Sequence, residues 1–278
     1  MLFQPSNYVI SLTTANERRQ HILKEFSQQG VPFKFFDAVS PKNLQYYMEM
    51  HFPNLRENQT LSLGEKACLM SHLLLWEKCI MQNLPYITIY EDDIFLGENS
   101  NAFLKEYEWL TSRFNLNDLF IIRFETTLMD VKLKNSKISK YKNREFNILQ
   151  SKHFGTGAYL ISKNAAKFIL AHYRNLKPSK IKPVDEFIFN ELIRQKKYYI
   201  YQLTPAICIQ DIIKNKNNTF LDSHLQNERQ EIRKENKPKK LLDKIKRGTY
   251  KISRIFTKPY RWYNSKKENK NYIKVEFR

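Results

Sequence analysis

Short apolar runs of strand character alternate along this chain with segments of helical spacing, and that alternation restricts it to an α/β fold. Residues 8–12 (YVISL) read as a buried strand. A polar turn at 13–16 follows, then a helix over ERRQHILKEFSQQ, with Ile22, Leu23 and Phe26 at helical spacing and Gly30 beyond its end. Residues 33–39 (FKFFDAV) form a second strand. Ser62 with Glu65 fits a capping box ahead of an apolar helix over 66–82, and the strand YITIY (86–90) comes next. A helix around 101–113, a strand at 119–125 (LFIIRFE) and the strand-like HFGTGAYLIS (153–162) continue the pattern. NAAKFILAHY and VDEFIFNELIRQ read as helices and YYIYQL as a strand. Residues 126–150 show no clear periodicity and read as a long polar, basic connection.

The chain has 278 residues, 42% of them hydrophobic and 14% aromatic, enough to bury a sizeable core and to exclude global disorder. Its formal net charge is +19. Residues 233–278 hold 17 Lys/Arg against 4 Asp/Glu, so two-thirds of the excess lies in the last sixth of the chain. Leu241, Leu242, Ile245, Ile252, Ile255, Tyr260 and Trp262 are interspersed there with cations. Such a segment suits the surface of an anionic membrane leaflet. The plainer alternative is a solvated tail, and RNA binding ranks third. The expected organisation is a catalytic body over 1–232 and a basic amphipathic tail over 233–278.

No basic leader or long apolar stretch opens the sequence. Ser71, His72, Glu77 and Lys78 interrupt the apolar run at 67–81, so no membrane span is expected. Cys68, Cys79 and Cys208 form no CxxC pair. Cys68 and Cys79 fall near one helix face and read as small buried hydrophobes rather than metal ligands. On these readings a soluble cytosolic protein is expected.

Three local patterns carry chemistry. Glu91, Asp92 and Asp93 follow directly on the apolar strand 86–90, at the carboxyl end where open α/β sheets place ligands. Clustered carboxylates repel unless a cation compensates them, and hard oxygen ligands suit Mg²⁺ or Mn²⁺ held with a diphosphate. Gly155 and Gly157 open a strand, where backbone can approach a ligand closely. Asp185 and Glu186 stand in the first turn of a helix, a favourable place for anions. Taken singly, each has an ordinary structural explanation.

Taken in order, YVISLTTANERR, FFDAV, LSLGEKACLMSH, YEDD, GTGAYLISKNAAK, PVDEF and AICIQ resemble glycosyltransferase family 25 over roughly residues 7–230, with the basic tail outside. The resemblance implies a single GT-A domain, a nucleotide-sugar donor (usually UDP-galactose), a divalent metal and inversion at the anomeric carbon. It matches Glu91 and Asp93 to the outer places of a DxD metal motif, with Glu in the first place here, and makes Asp93 the leading ligand. Asp185 is the implied base, ahead of Glu186. Ser11, Thr13, Arg18 and Asp37 match segments that hold the nucleotide. Gly64, Glu65, Ser71 and His72 match the helix lining the donor sugar, although His72 also suits a hydrogen-bonded core position. Gly155 and Gly157 would lie against donor or acceptor. Gln210 and the segment near Ser223 match weaker family positions, which could belong to a closing loop.

The implied reaction is transfer of a sugar, most directly galactose from UDP-galactose with Mn²⁺ or Mg²⁺, onto a lipooligosaccharide or lipopolysaccharide glycan. The protein would sit peripherally on the cytoplasmic face of a bacterial inner membrane, with no nucleic acid as partner. UDP-glucose or a UDP-N-acetylhexosamine could replace the donor. From other classes, a nucleic-acid-binding protein would use the basic tail, and a metal-dependent phosphoesterase would use the same carboxylates without an acceptor.

Overall fold

The structure, a computed structural model, describes residues 6–215, 219, 221 and 272–278. Ser223 and residues 233–271 of the basic segment lie outside the described residues, as does the boundary expected at 232. The chain divides into two units, Met1–Asp222 with Lys274–Arg278, and Ser223–Ile273. In the second unit only Tyr272 and Ile273 are described, and both side chains are exposed.

The strands of the first unit are β1 (Asn7–Ser11), β2 (Lys34–Asp37), β3 (Tyr86–Glu91), β4 (Ile94–Leu96), β5 (Leu119–Arg123) and β6 (Glu125–Thr126). They continue with β7 (Asp130–Lys134), β8 (Glu145–Leu149), β9 (Ala158–Ser162), β10 (Tyr198–Thr204) and β11 (Cys208–Gln210). The helices are α1 (Asn16–Gln28), α2 (Leu44–His51), α3 (Pro53–Arg56), α4 (Leu63–Met81), α5 (Ser100–Leu104) and α6 (Glu108–Thr111). After them come α7 (Lys163–Asn175), α8 (Val184–Glu186) and α9 (Asp211–Lys214).

Among these strands the main sheet runs β7-β8-β10-β5-β9-β3-β1-β2. The β1–β2, β1–β3 and β5–β10 pairs are parallel, while β9 runs antiparallel to both β3 and β5. A small sheet, β4-β11-β6, lies beside it. Side chains on successive strand residues point to opposite faces, and the core divides accordingly. Ile87 and Ile89 of β3 and Ile121 of β5 join Leu69, Trp76, Ile169 and Tyr173 of α4 and α7. Tyr86 and Tyr90 of β3 and Phe120 and Ile122 of β5 join Ile22 and Phe26 of α1 and the aromatics Phe103, Trp109 and Phe114. The sheet is therefore covered on both faces. That explains why its central strands read as continuous apolar runs.

The capping box forms as its pattern implies: the Glu65 N–H donates to Ser62 Oγ (3.1 Å) and the Ser62 N–H to Glu65 Oε2 (3.0 Å). Three expectations are corrected. The helix around 101–113 is two short helices, and the Trp109 indole N–H donates across the break to the Phe103 carbonyl (3.0 Å). The span 126–150 is not featureless; β7 and β8 pair antiparallel and bury Val131, Phe146 and Leu149. The helix at 184–195 keeps α-geometry only in α8, then runs through a π-helical turn at Phe187–Glu191 and a 3-10 turn at Leu192–Arg194.

Lys274–Arg278, grouped with the tail on composition, pack into the body. Val275 is buried, and its carbonyl accepts from Thr126 Oγ1 (2.7 Å). The Ala206 N–H donates to Glu276 O (2.8 Å) and the Arg278 N–H to Ala206 O (3.1 Å). The buried Arg144 guanidinium donates to Arg278 O (2.9 Å), Glu98 O (2.7 Å) and Pro205 O (2.9 Å). Gly97 lies so close to Arg278 that a Cβ there would collide with its backbone. Among the described residues no helix is long and apolar enough to cross a membrane.

Candidate active site

The chain leaves β1 through α1 to β2 on one side of β1 and returns to β3 on the other. This reversal lies at the carboxyl ends of β1 and β3, the place where open α/β sheets bind ligands. Arg18, in the first turn of α1, reaches the acids after β3. Its Nη1 lies 2.5 Å from Asp92 Oδ1 and its Nη2 3.8 Å from Asp93 Oδ2. Burial alone would lower the Arg18 pKa, but Asp92, Asp93 and Glu91 raise it, so the guanidinium stays charged.

Glu91 ends β3. Its N–H donates to Gly157 O (2.9 Å), which joins the acid strand to the loop entering β9. Its Oε1 accepts from Thr156 Oγ1 (2.6 Å) and its Oε2 from Gln210 Nε2 (2.9 Å). The same Gln210 amide donates to Asp93 Oδ1 (3.2 Å), so one side chain from the end of β11 spans both carboxylates. Register explains the reach: Gln210 lies opposite Ile94, directly after the acids, in the small sheet. Burial disfavours the Glu91 carboxylate, yet His72, Thr156 and Arg18 hold its pKa below the usual value. Asp93 goes the other way, pushed up to about 7 by burial and the charge of Glu91, which Arg18 offsets only in part.

A second layer lies behind. Arg123, the last residue of β5, is wholly buried over the Phe189 ring (4.2 Å to its centroid). It donates to Glu125 Oε1 (3.0 Å), Gly155 O (2.8 Å), Phe154 O (3.1 Å) and Gln202 Oε1 (3.3 Å). Burial pushes the Glu125 carboxyl up to about 8; Arg123 opposes this, while Glu91 and Asp93 add to it. Glu125 Oε2 is buried without a hydrogen-bond partner. The two loop glycines make room for this carboxyl. Gly155 has φ +85°, and a Cβ on Gly157 would lie 2.5 Å from Glu125 Oε2 and 2.8 Å from Gln210 Cγ. Asp185, opening α8, accepts from the Gly155 N–H (3.1 Å) and the Glu186 N–H (2.8 Å). The loop thus meets Asp185 through Gly155 and Glu91 through Thr156 and Gly157, with Glu125 against both glycines.

Of the residues marked in the sequence, Arg18, His72, Glu91, Asp93, Gly155, Gly157, Asp185 and Gln210 come together here. Others lie apart. Glu65 is engaged in its capping box, with Gly64 beside it at the start of α4. Ser71 Oγ accepts from the Val39 N–H (2.9 Å) and donates to Ala67 O (3.0 Å), which ties α4 to the chain beyond β2. Asp37 pairs with Arg19 (2.5 Å), Ser11 is buried, and Thr13 is exposed in the turn before α1. Glu186 faces Lys182 at 3.9 Å. His72 is a core residue whose Nδ1 meets Tyr159 Oη (2.8 Å), but its Nε2 points to Glu91 Oε1 at 3.8 Å. Sequence reasoning missed Arg123, Glu125 and Thr156. The one available signal was a charged pair, Arg123 and Glu125, within an otherwise apolar run.

Two guanidiniums, Arg18 and Arg123, thus face five carboxyl groups: Glu91, Asp92, Asp93, Glu125 and Asp185. The excess negative charge, with Glu91 and Asp93 sharing one amide, fits a hard divalent cation bound through oxygen.

Comparison with known proteins identifies the family. The profile of glycosyltransferase family 25 (LPS biosynthesis protein) matches residues 4–188. The lipooligosaccharide biosynthesis protein lic2B of Haemophilus influenzae is 44% identical over 88% of this chain and 96% of its own. The lex-1 protein of the same species, also a lipooligosaccharide biosynthesis protein, is 40% identical over 91% of each chain. The lacto-N-neotetraose biosynthesis glycosyltransferase LgtB of Neisseria meningitidis is 37% identical over 98% of this chain and 99% of its own. That last alignment takes in the basic segment, which the motif resemblance had left outside. A profile match over most of the chain and identities of this size across nearly its whole length make this chain a member of glycosyltransferase family 25.

Proposed function

We propose that this protein is an inverting, metal-dependent transferase of GT-A architecture that moves galactose from UDP-galactose onto a lipooligosaccharide glycan. One observation carries the reading: the acids after β3, the Arg18 guanidinium after β1 and the glycine loop before β9 converge at the sheet's reversal point. The names of the relatives support the acceptor class, and the family resemblance supports the donor.

Mn²⁺ or Mg²⁺ would be held by Asp93 with Glu91, and when bound it supplies Lewis-acid neutralisation of the diphosphate. Asp93 is the better disposed of the two, because both Glu91 oxygens already accept hydrogen bonds. Arg18 supplies a second positive charge at the same strand ends. Asp185 accepts the proton of the acceptor hydroxyl as its oxygen attacks the anomeric carbon and the bond to the nucleotide breaks. The two backbone N–H groups on Asp185 fix that carboxylate in place, whereas Glu186 leans toward Lys182. The basic segment brings the protein to the anionic cytoplasmic face of the inner membrane, where a lipid-linked acceptor is presented.

The test is a panel of UDP-sugars with Mn²⁺, read first by thermal shift and then by transfer to lipooligosaccharide. UDP-galactose should stabilise the protein by mass action and be turned over. Selective turnover of UDP-glucose or a UDP-N-acetylhexosamine would replace the donor, and failure of every donor would overturn the reading. Asp185→Asn should keep donor binding and lose transfer. Removing residues 233–271 should abolish binding to anionic vesicles while a soluble acceptor is still used.

A further inference from the structure

Glu91 presents its two oxygens to different surroundings. Oε2 faces Gln210 and, through that amide, Asp93; Oε1 faces Thr156 and His72. On the His72 side stands Cys68, one helical turn earlier on α4, so the two side chains share a helix face. The ligand atoms of Cys68, His72 and Glu91 all lie within 4.8 Å of one another. His72 is fully buried, and its Nε2, aimed at this space, has no hydrogen-bond partner. An orphaned imidazole nitrogen in a sealed position calls for an occupant.

We propose that Cys68, His72 and Glu91 form a second cation site, separate from the oxygen-lined one at Asp93 and suited to a thiophilic divalent ion such as Zn²⁺ or Cd²⁺. Donor chemistry sets the preference. Thiolate and imidazole select zinc-like ions, whereas carboxylate and carbonyl oxygens suit Mg²⁺ and Mn²⁺. Ligand atoms around tetrahedral zinc, with bonds of about 2.0–2.3 Å, stand roughly 3.3–3.8 Å apart. The His72–Glu91 separation of 3.8 Å already meets this, and the thiol must close by about 1 Å. The ion selects the tautomer with its proton on Nδ1, which then donates to Tyr159 Oη, the outer contact that orients a ligating histidine. Tyr159 is itself fixed by the Trp76 indole N–H (3.0 Å). Water takes the fourth position. This assignment reverses the expectation that Cys68 is a buried hydrophobe: it is only partly buried, unlike Cys79 and Cys208.

Titration of the full-length, chelator-stripped protein with Cd²⁺, followed by the thiolate-to-cadmium charge-transfer band, tests the site directly. One equivalent should saturate the band. Cys68→Ser and Cys68→Ala should abolish it, Glu91→Gln should weaken affinity at least tenfold, and Asp93→Asn should leave it in place. A band that is absent, or that survives loss of Cys68, overturns the proposal. A second measurement needs no variant: Zn²⁺ should slow maleimide alkylation of Cys68 in the wild-type protein, mapped by peptide, with buried Cys79 and Cys208 as internal references. An unchanged Cys68 rate would also overturn it. Neither readout depends on the donor or acceptor.

Discussion

Two arginine–carboxylate pairs stand in the same protein and differ in nearly everything but chemistry. Arg18 and Asp92 meet at the carboxyl ends of β1 and β3 with side chains 20% and 10% exposed; Arg123 and Glu125 meet at 0% and 1% exposure. Arg18 pairs with acids, Asp92 and Asp93, that a cation or diphosphate could rearrange. Arg123 spends its donors on two backbone carbonyls, an amide and a carboxyl, and so fixes the loop that carries Gly155 and Gly157. The open pair is placed to exchange partners. The sealed pair sets the geometry in which that exchange occurs. Charge at this site therefore has two tasks, and exposure separates them.

The largest effect that would break this contrast lies in the sealed pair. Arg123→Leu should cost about 3 kcal/mol of stability, because it leaves the buried Phe154 and Gly155 carbonyls and the Gln202 amide oxygen without their donor; an unchanged urea midpoint would remove the loop-fixing role. Beside the open pair, Asp93→Asn should not lower the midpoint but should lower transfer on the order of 10²–10³-fold, as loss of one charge-stabilising group does elsewhere. Full activity in Asp93→Asn would sink the metal assignment. Gly157→Ala tests whether the loop is as tight as it looks. Its Cβ would meet Glu125 and Gln210, so a loss of about 1–3 kcal/mol is expected, with weaker Mn²⁺ binding as Gln210 moves. A variant as stable as wild type would show that the loop yields.

The smallest effect is a slope. With its pKa raised to about 8 in the folded state, Glu125 contributes stability that is complete below its unfolded value of about 4.3 and lost as pH rises through about 8. Asp93, raised to about 7, adds to the same fall. In metal-free protein Glu125→Gln should flatten the decline of Tm between pH 5 and 8 without abolishing it. Identical slopes in the two proteins would mean that Glu125 is ionised throughout, as a simple ion pair.

What the sequence revealed follows from the range of the interactions involved. The capping box at Ser62 and Glu65 is local, and the acids after YITIY mark a strand end whatever its neighbours are. β7 and β8 escaped notice although Val131 and Leu133, and Phe146 and Ile148, alternate. Each run is short and polar on one side, as suits strands near an edge. Arg123 and Glu125 were hidden for another reason. Their meaning depends on β5 lying beside β9 in a register that pairs Arg123 with Tyr159, which delivers the glycine loop onto the carboxyl group. No spacing within LFIIRFE encodes that. The reach of Gln210 to both acids was hidden in the same way, because it comes from β11 pairing with β4.

The last residues of the chain bear on the acids at one remove. The Ala206 N–H is held by Glu276 O and its carbonyl by the Arg278 N–H, while Arg144 grips the Arg278 carbonyl. Ala206 stands two residues before β11, whose last residue spans Glu91 and Asp93. Truncating residues 275–278 would therefore register at the acids as a change in how firmly Gln210 is held.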